Sequence, residues 1–229
     1  MFSQKTGRST ADACAPSFHP AKTDAPVILR LLTQDSPDAE KLERINEAAF
    51  PPNERNTIRS LFASGRDGNL DMLGIYAGDA LAGFLAVRKF HSIRYLAYFA
   101  VAPERRSEGI GSAAIQQLKM LYPDCQIITE FEVPDSVHEI RRRRRDFYIR
   151  NGFFETGWYT FYDETEFQIA CSEPEFDIRA FTQFLAYLNT IISDHIPQPY
   201  MPASGKAGPA PDRDCSNTEK NYVIKEKLP

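Results

Sequence analysis

The chain has 229 residues, 42% of them hydrophobic and 25% charged, with a formal net charge of -4. That length and apolar content suit one domain with extensions, and the acidic balance excludes a global attraction to nucleic acid or anionic lipid, so any basic function has to be local. Cys14, Cys125, Cys171 and Cys215 lack metal-ligand spacing, no signal peptide points to an oxidising compartment, and no apolar run reaches the roughly 20 residues of a bilayer span; a cytoplasmic protein with reduced thiols, no metal and no membrane partner is expected.

Residues 1–25 mix Ser, Thr, Ala, Pro and scattered charge without periodicity and read as a flexible leader. Asp12 and the lack of a basic amphipathic face argue against a transit peptide. A short apolar strand is predicted over 26–32, and the spacing of Leu42, Ile45 and Ala49 predicts a helix over 37–49. Pro51 and Pro52 interrupt, and Asn53 is a candidate cap for a second helix carrying Ile58, Leu61 and Phe62. Three strand-like runs follow, "LDMLGIYAG", "ALAGFLAVRKF" and "IRYLAYFAV", the first two joined by a tight turn at Gly78 and Asp79. They read as an antiparallel meander.

Ala114, Ile115, Leu118, Leu121 and Tyr122 then form one stripe of a helix over 111–122, and "CQIITEFEV" returns as a strand. Strand, helix, strand implies a parallel pair joined by a right-handed crossover. A helix over 136–151 precedes a hairpin of "FFETGWYTFY" and "TEFQIACS" turning at Asp163 and Glu164, and a closing helix spans 174–193. From residue 196 the chain turns rich in Pro, Gly, Ser and charge, so 196–229 reads as a loose tail in which only "NYVI" could dock. The fold class is a mixed α/β sheet, a meander plus a parallel pair with helices on both faces, in a domain over 26–195.

Between the third meander strand and its helix stands "RRSEGIGS". Gly109 and Gly111 at a helix start leave unpaired backbone N–H groups beside the positive helix end, an arrangement suited to an anion, and Ser112 can add a hydroxyl donor. An ordinary loop with glycines for packing is the competing reading of two glycines alone.

The surrounding "LAYFAVAPERRSEGIGSAAI" resembles the acyl-CoA signature of the GNAT superfamily of N-acetyltransferases, an Arg or Gln, two residues, Gly, one residue, then Gly or Ala. Here the signature falls on Arg106, Ser107, Glu108, Gly109, Ile110 and Gly111, and Val101, Ala102 and Pro103 match the family's strand end. "FYIRNGF" resembles the second signature, with Tyr148 four residues before Gly152, so the resemblance spans residues 27–172 by element order. It implies that the parallel pair splays and takes the pantetheine arm of acetyl-CoA against backbone groups of Phe99, Ala100 and Val101. It further implies that the pyrophosphate rests on the amides of residues 106–112, Ser112 included, with no metal.

In that family an amine attacks the thioester carbonyl directly, so a base accepts a proton and an acid protonates the departing thiolate. By resemblance Tyr148 is the acid. Glu130, where some family members place a catalytic glutamate, is the expected base, but Glu132 alternates onto the same strand face and Glu54 in "FPPNER" is a third candidate. The base position of histone-type members aligns with Tyr95, which has no carboxylate, and His91 reads as an exposed turn residue.

Five arginines at 141–145 depart from the family pattern. They read as a solvated helix face, or, because Arg141, Arg145 and Tyr148 fall at i, i+4 and i+7, as a pair holding an anionic group of the acceptor or of coenzyme A. Together with Glu54 and Glu132 they are the candidate acceptor residues, for a small-molecule or peptide amine, amino-acid-like by charge. Two other readings remain: a silent acyl-CoA sensor, and a nucleic-acid module using the arginine run, opposed by the acidic total and the lack of an aromatic RNA-binding motif. Either a monomer or a homodimer is compatible with an exposed strand edge.

Overall fold

Among the described residues, apolar runs give seven strands: β1 (Val27–Leu31), β2 (Leu70–Ala77), β3 (Ala80–Phe90), β4 (Ile93–Val101), β5 (Gln126–Glu132), β6 (Phe154–Tyr162) and β7 (Thr165–Cys171). Five α-helices accompany them, α1 (Ala39–Ala49), α2 (Ile58–Ser64), α3 (Ile110–Leu121), α4 (Glu139–Arg150) and α5 (Ile178–Ile191). The structure, a computed structural model, describes residues 25–52, 55–162, 164–192 and 196–202.

The strands form one sheet in the order β1-β2-β3-β4-β5-β7-β6. The meander closes at Gly78, whose φ of 61° suits the tight turn. Neighbours are antiparallel except β4 and β5, the parallel pair that α3 connects. Strand alternation then sorts the cores. On one face Ile110, Ala114, Ile115 and Leu118 of α3 pack with Leu85, Phe131 and Phe153, and Phe147 and Tyr148 of α4 join them. On the other, α1 and α2 bury Leu42, Ile45, Ile58 and Leu61 against Phe84 and Ala100. Phe181, Phe184 and Leu185 of α5 cover Ile93, Ile128 and Ile169 further along that same face.

Several boundaries differ from the periodicity reading, each for a local reason. The Asp135 side chain accepts from the backbone N–H groups of Val137 and His138 at 2.9 and 2.6 Å, holding residues 136–138 in a turn before α4. Thr57 caps α2 by accepting from Ser60 N–H at 3.1 Å, while Asn53 lies outside the described residues. Asp177 caps α5, so that helix starts at Ile178 rather than at Pro174.

Residues 196–202, read from the sequence as the start of a loose tail, are docked. Ile196 packs beside α5 and exchanges hydrogen bonds with the Asn189 side chain, and Tyr200 exchanges two backbone bonds of 2.9 Å with Tyr159 on the outer edge of β6. The Tyr200 hydroxyl also donates to Glu166. A composition rich in proline does not prevent such an edge contact, because one β-bridge needs a single free N–H and C=O. Residues 1–24 and 203–229 lie outside the described residues.

Candidate active site

The parallel pair opens. β4 and β5 are matched at Ile93–Gln126, Arg94–Ile127 and Tyr95–Ile128 only, although β4 continues to Val101 and β5 to Glu132. The cause lies on β4's other edge: Ala86 of β3 opposes Tyr98 while Val87 opposes Leu96, leaving Ala97 as an extra residue. A bulge bends and twists the strand that carries it. Beyond the gap β5 pairs with β7 from Ile128 to Glu132, so residues 96–101 present an edge without a partner strand in the middle of the sheet, and Ala97 is exposed there.

At the mouth of this gap stands the N-terminus of α3. Gly109 is its N-cap at φ 83°, with no side-chain cap, and Ala113 is the first residue to donate back into the helix, to Gly109 at 3.0 Å. The N–H groups of Ile110, Gly111 and Ser112 therefore project from the helix end. The two glycines have different reasons. A Cβ on Gly109 would meet nothing within 4 Å, so the left-handed backbone demands glycine there. A Cβ on Gly111 would stand 3.3 Å from Phe147 and 3.4 Å from Phe99, so that glycine lets α3 approach α4 and β4. Arg106 donates from Nε to the Val101 carbonyl at 3.1 Å, across the end of β4, whereas Glu108 is turned onto Arg105 at 2.9 Å.

Tyr148 and Glu130 flank the gap from opposite sheet faces. The Tyr148 ring stacks on Phe131 at 5.9 Å and meets Phe147 and Phe153 edge-on at 5.3 Å each. Burial pushes its pKa up, partly offset by a hydrogen bond from Thr129 and by the charge of Arg144. Glu130, the next residue along β5, faces the α5 side, where Tyr95 donates to Oε2 and Thr160 to Oε1, both at 2.7 Å. Burial pushes this carboxyl pKa up, and the two hydroxyl bonds hold it back only in part.

Glu132 has a different fate. Arg144 reaches it at 2.6 Å and Arg141 at 3.3 Å, while Arg141 also holds Asp135 at 2.8 Å. Arg145 turns away to Glu155 through bonds of 2.6 and 3.0 Å and to Asp146 at 3.3 Å. Arg141 and Arg145 thus share a helix face without sharing a target. Glu54 lies outside the described residues. The backbone N–H and side-chain amide of Asn56 donate to the Tyr98 hydroxyl at 3.2 and 3.1 Å, tying the α1–α2 connection to β4.

Sequence reasoning did not single out Thr129, Thr160 or the hydroxyl of Tyr95 as site groups. Alternation beside Glu130 could have flagged Thr129; Thr160 joins only through the β5-β7-β6 register, which no local pattern encodes. His91 is exposed in the β3–β4 turn at φ 46°, as its position suggests. No helix among the described residues is long and apolar enough to cross a membrane.

Residues 69–155 match the family model described as acetyltransferase (GNAT) domain, a span that contains the gap, the glycine turn, Glu130 and Tyr148. The chain has the fold of that family. Among solved structures it is similar to a protein of Bacteroides thetaiotaomicron assigned to the GNAT family of acetyltransferases, at 24% identity and a TM-score of 0.60, covering 71% of this chain and 96% of that one. It is also similar in fold to the aminoglycoside 6'-N-acetyltransferase of Enterococcus faecium, at 14% identity and a TM-score of 0.52, covering 66% and 99% of the two chains. No curated protein matches the sequence.

Proposed function

We propose that the protein is an acyl-CoA-dependent N-acetyltransferase that moves an acetyl group from acetyl-CoA to a primary amine by direct attack in a ternary complex. The observation that carries this reading is the strand edge of residues 96–101 that lacks a partner strand, flanked by a half-buried carboxylate on one sheet face and a half-buried phenol on the other. The residues present fit the cosubstrate: the stretch of β4 that lacks a partner strand suits the amide-bearing pantetheine arm, and the projecting amides of residues 110–112, with open space at Gly109, suit a pyrophosphate. Arg106, Ser107, Glu108 and Ser112 frame that mouth. Bound acetyl-CoA supplies a thioester carbonyl and a thiol leaving group.

The chain's own groups divide the proton traffic. Glu130 takes the amine proton as nitrogen attacks, and its raised pKa makes it a better acceptor than an ordinary carboxylate. Tyr148 gives its phenolic proton to the sulfur on the far face. The arginines expected to hold an anionic group on the acceptor are occupied by Glu132, Asp135 and Glu155, so the acceptor reading narrows to the amine itself. Glu132 is correspondingly not the base.

Thiol release from acetyl-CoA across a panel of polyamines, aminoglycosides, amino acids and peptides tests this. Turnover with at least one amine, reduced by about 10²–10⁴ in Glu130→Gln and in Tyr148→Phe, is the expected result. Calorimetry that detects no coenzyme A binding, or wild-type turnover in both variants, overturns it.

A further inference from the structure

Tyr148 is an unusual proton donor because of its surroundings. Once its proton has gone to sulfur, a phenolate is left among Phe131, Phe147 and Phe153, where an unpaired charge is costly. Something must carry the compensating charge. Arg144 precedes Tyr148 by one turn of α4, on the same side of the helix, and its charge acts on the phenol.

The partner of Arg144 shows where its guanidinium is held. Glu132 leaves β5 on the face of Glu130, and its cross-strand neighbour on β7 is Phe167, which lies two residues from the α5-facing Ile169. α4 packs on the opposite face, against Phe131. An ion pair of 2.6 Å between Arg144 and Glu132, the last residue of β5, therefore links α4 to the end of that strand, beyond the stretch where β4 and β5 are paired. Arg141 shares Glu132 and has Asp135 as a second partner, on which His138 also sits, and it stands a further turn of α4 from Tyr148.

Resting on the acetyltransferase reading, we propose that Arg144, tethered at the end of β5 by Glu132, is a positioning residue that places a positive charge beside Tyr148 as the thiol departs. In the step, the amine nitrogen bonds to the carbonyl carbon, its proton passes to Glu130, the carbon–sulfur bond breaks with its electron pair on sulfur, and the Tyr148 proton moves to that sulfur. The phenolate persists against the Arg144 guanidinium until solvent returns a proton, while Glu130 gives its own proton to solvent. Neither oxidant nor metal is required.

The test uses the full chain, acetyl-CoA and the best amine of the panel. Arg144→Met is expected to lower kcat about tenfold with KM for acetyl-CoA changed less than about twofold, and Arg144→Lys to restore most of the loss. The basic limb of the kcat profile moves to higher pH in Arg144→Met, because the phenol loses the charge that favours its ionisation. Placed in a Tyr148→Phe background, Arg144→Met costs less than about twofold further, since no phenolate forms. Glu132→Gln, which keeps the arginine but loosens it, gives an intermediate loss and provides a second reading should Arg144→Met fold poorly. A loss confined to KM, or an equal kcat loss with and without Tyr148, overturns the proposal while sparing the acetyltransferase reading. Wild-type rates in Glu130→Gln and Tyr148→Phe overturn both.

Discussion

Glu130 and Glu132 stand two residues apart on one strand and one face, yet they occupy different chemical regions. Around Glu130 the neighbours are neutral hydroxyls from β4 and β6, and burial pushes its pKa up. Around Glu132 the neighbours are two guanidinium groups from α4. The first environment leaves a carboxylate without a countercharge beside an open strand edge, which is what a proton acceptor needs; the second neutralises it. Residue type and strand parity are the same for both, so the partners decide the role.

The most severe way to break this contrast is to remove each carboxylate in turn. Glu130→Gln should lower turnover by about 10²–10⁴, and Glu132→Gln by no more than about tenfold, read by thiol release; the reverse order would put the base on Glu132. Stability should move the other way. Glu132→Gln leaves Arg144 without the carboxylate and is expected to cost about 1–3 kcal/mol in denaturant unfolding, between the values of exposed and buried pairs.

Glu130→Gln should instead gain stability relative to wild type as pH rises from acid to neutral. A carboxyl whose folded pKa is raised contributes stability below its unfolded pKa and loses it as pH rises through the folded one, and glutamine is blind to that titration. Thermal melts across that range of pH check the sign. Removing one hydroxyl sharpens the same point: Tyr95→Phe takes away a bond that favours the charged form, so the acid limb of the kcat profile should shift to higher pH with a several-fold loss in rate. The smallest effect belongs to an arginine outside both regions. Arg143 and Glu139 form an exposed i,i+4 pair at 2.8 Å, and Arg143→Ala should cost about 0.3–0.5 kcal/mol with turnover unchanged.

Much of the fold around the candidate site was legible because its signals are local. Glycine spacing announced the uncapped start of α3, and the run from Leu96 to Val101 together with "QIITEFE" announced the parallel pair. Tyr148 could be placed on α4 from its distance to Gly152. Other features were not legible, for identifiable reasons. The opening after Tyr95 depends on a bulge at Ala97, which is a relation between two strands and leaves no mark in either. Gly111 looked like a ligand contact, but its nearest neighbours are Phe147 and Phe99, one of them 36 residues along the chain. The arginine run looked like free charge because its carboxylates, Glu132, Glu139 and Glu155, come from three different elements or their flanks.

Unaided, the order of residues determined which segments become strands and helices, which face each side chain leaves from, and that an uncapped helix start follows the meander, since backbone geometry and apolar spacing act over a few positions. The different partners of two neighbouring glutamates, the opening between β4 and β5, and the company Tyr148 keeps arose only when distant segments met. Charge and desolvation depend on what lies within a few ångströms in space, and the chain reaches those neighbours through β7, β6 and α4.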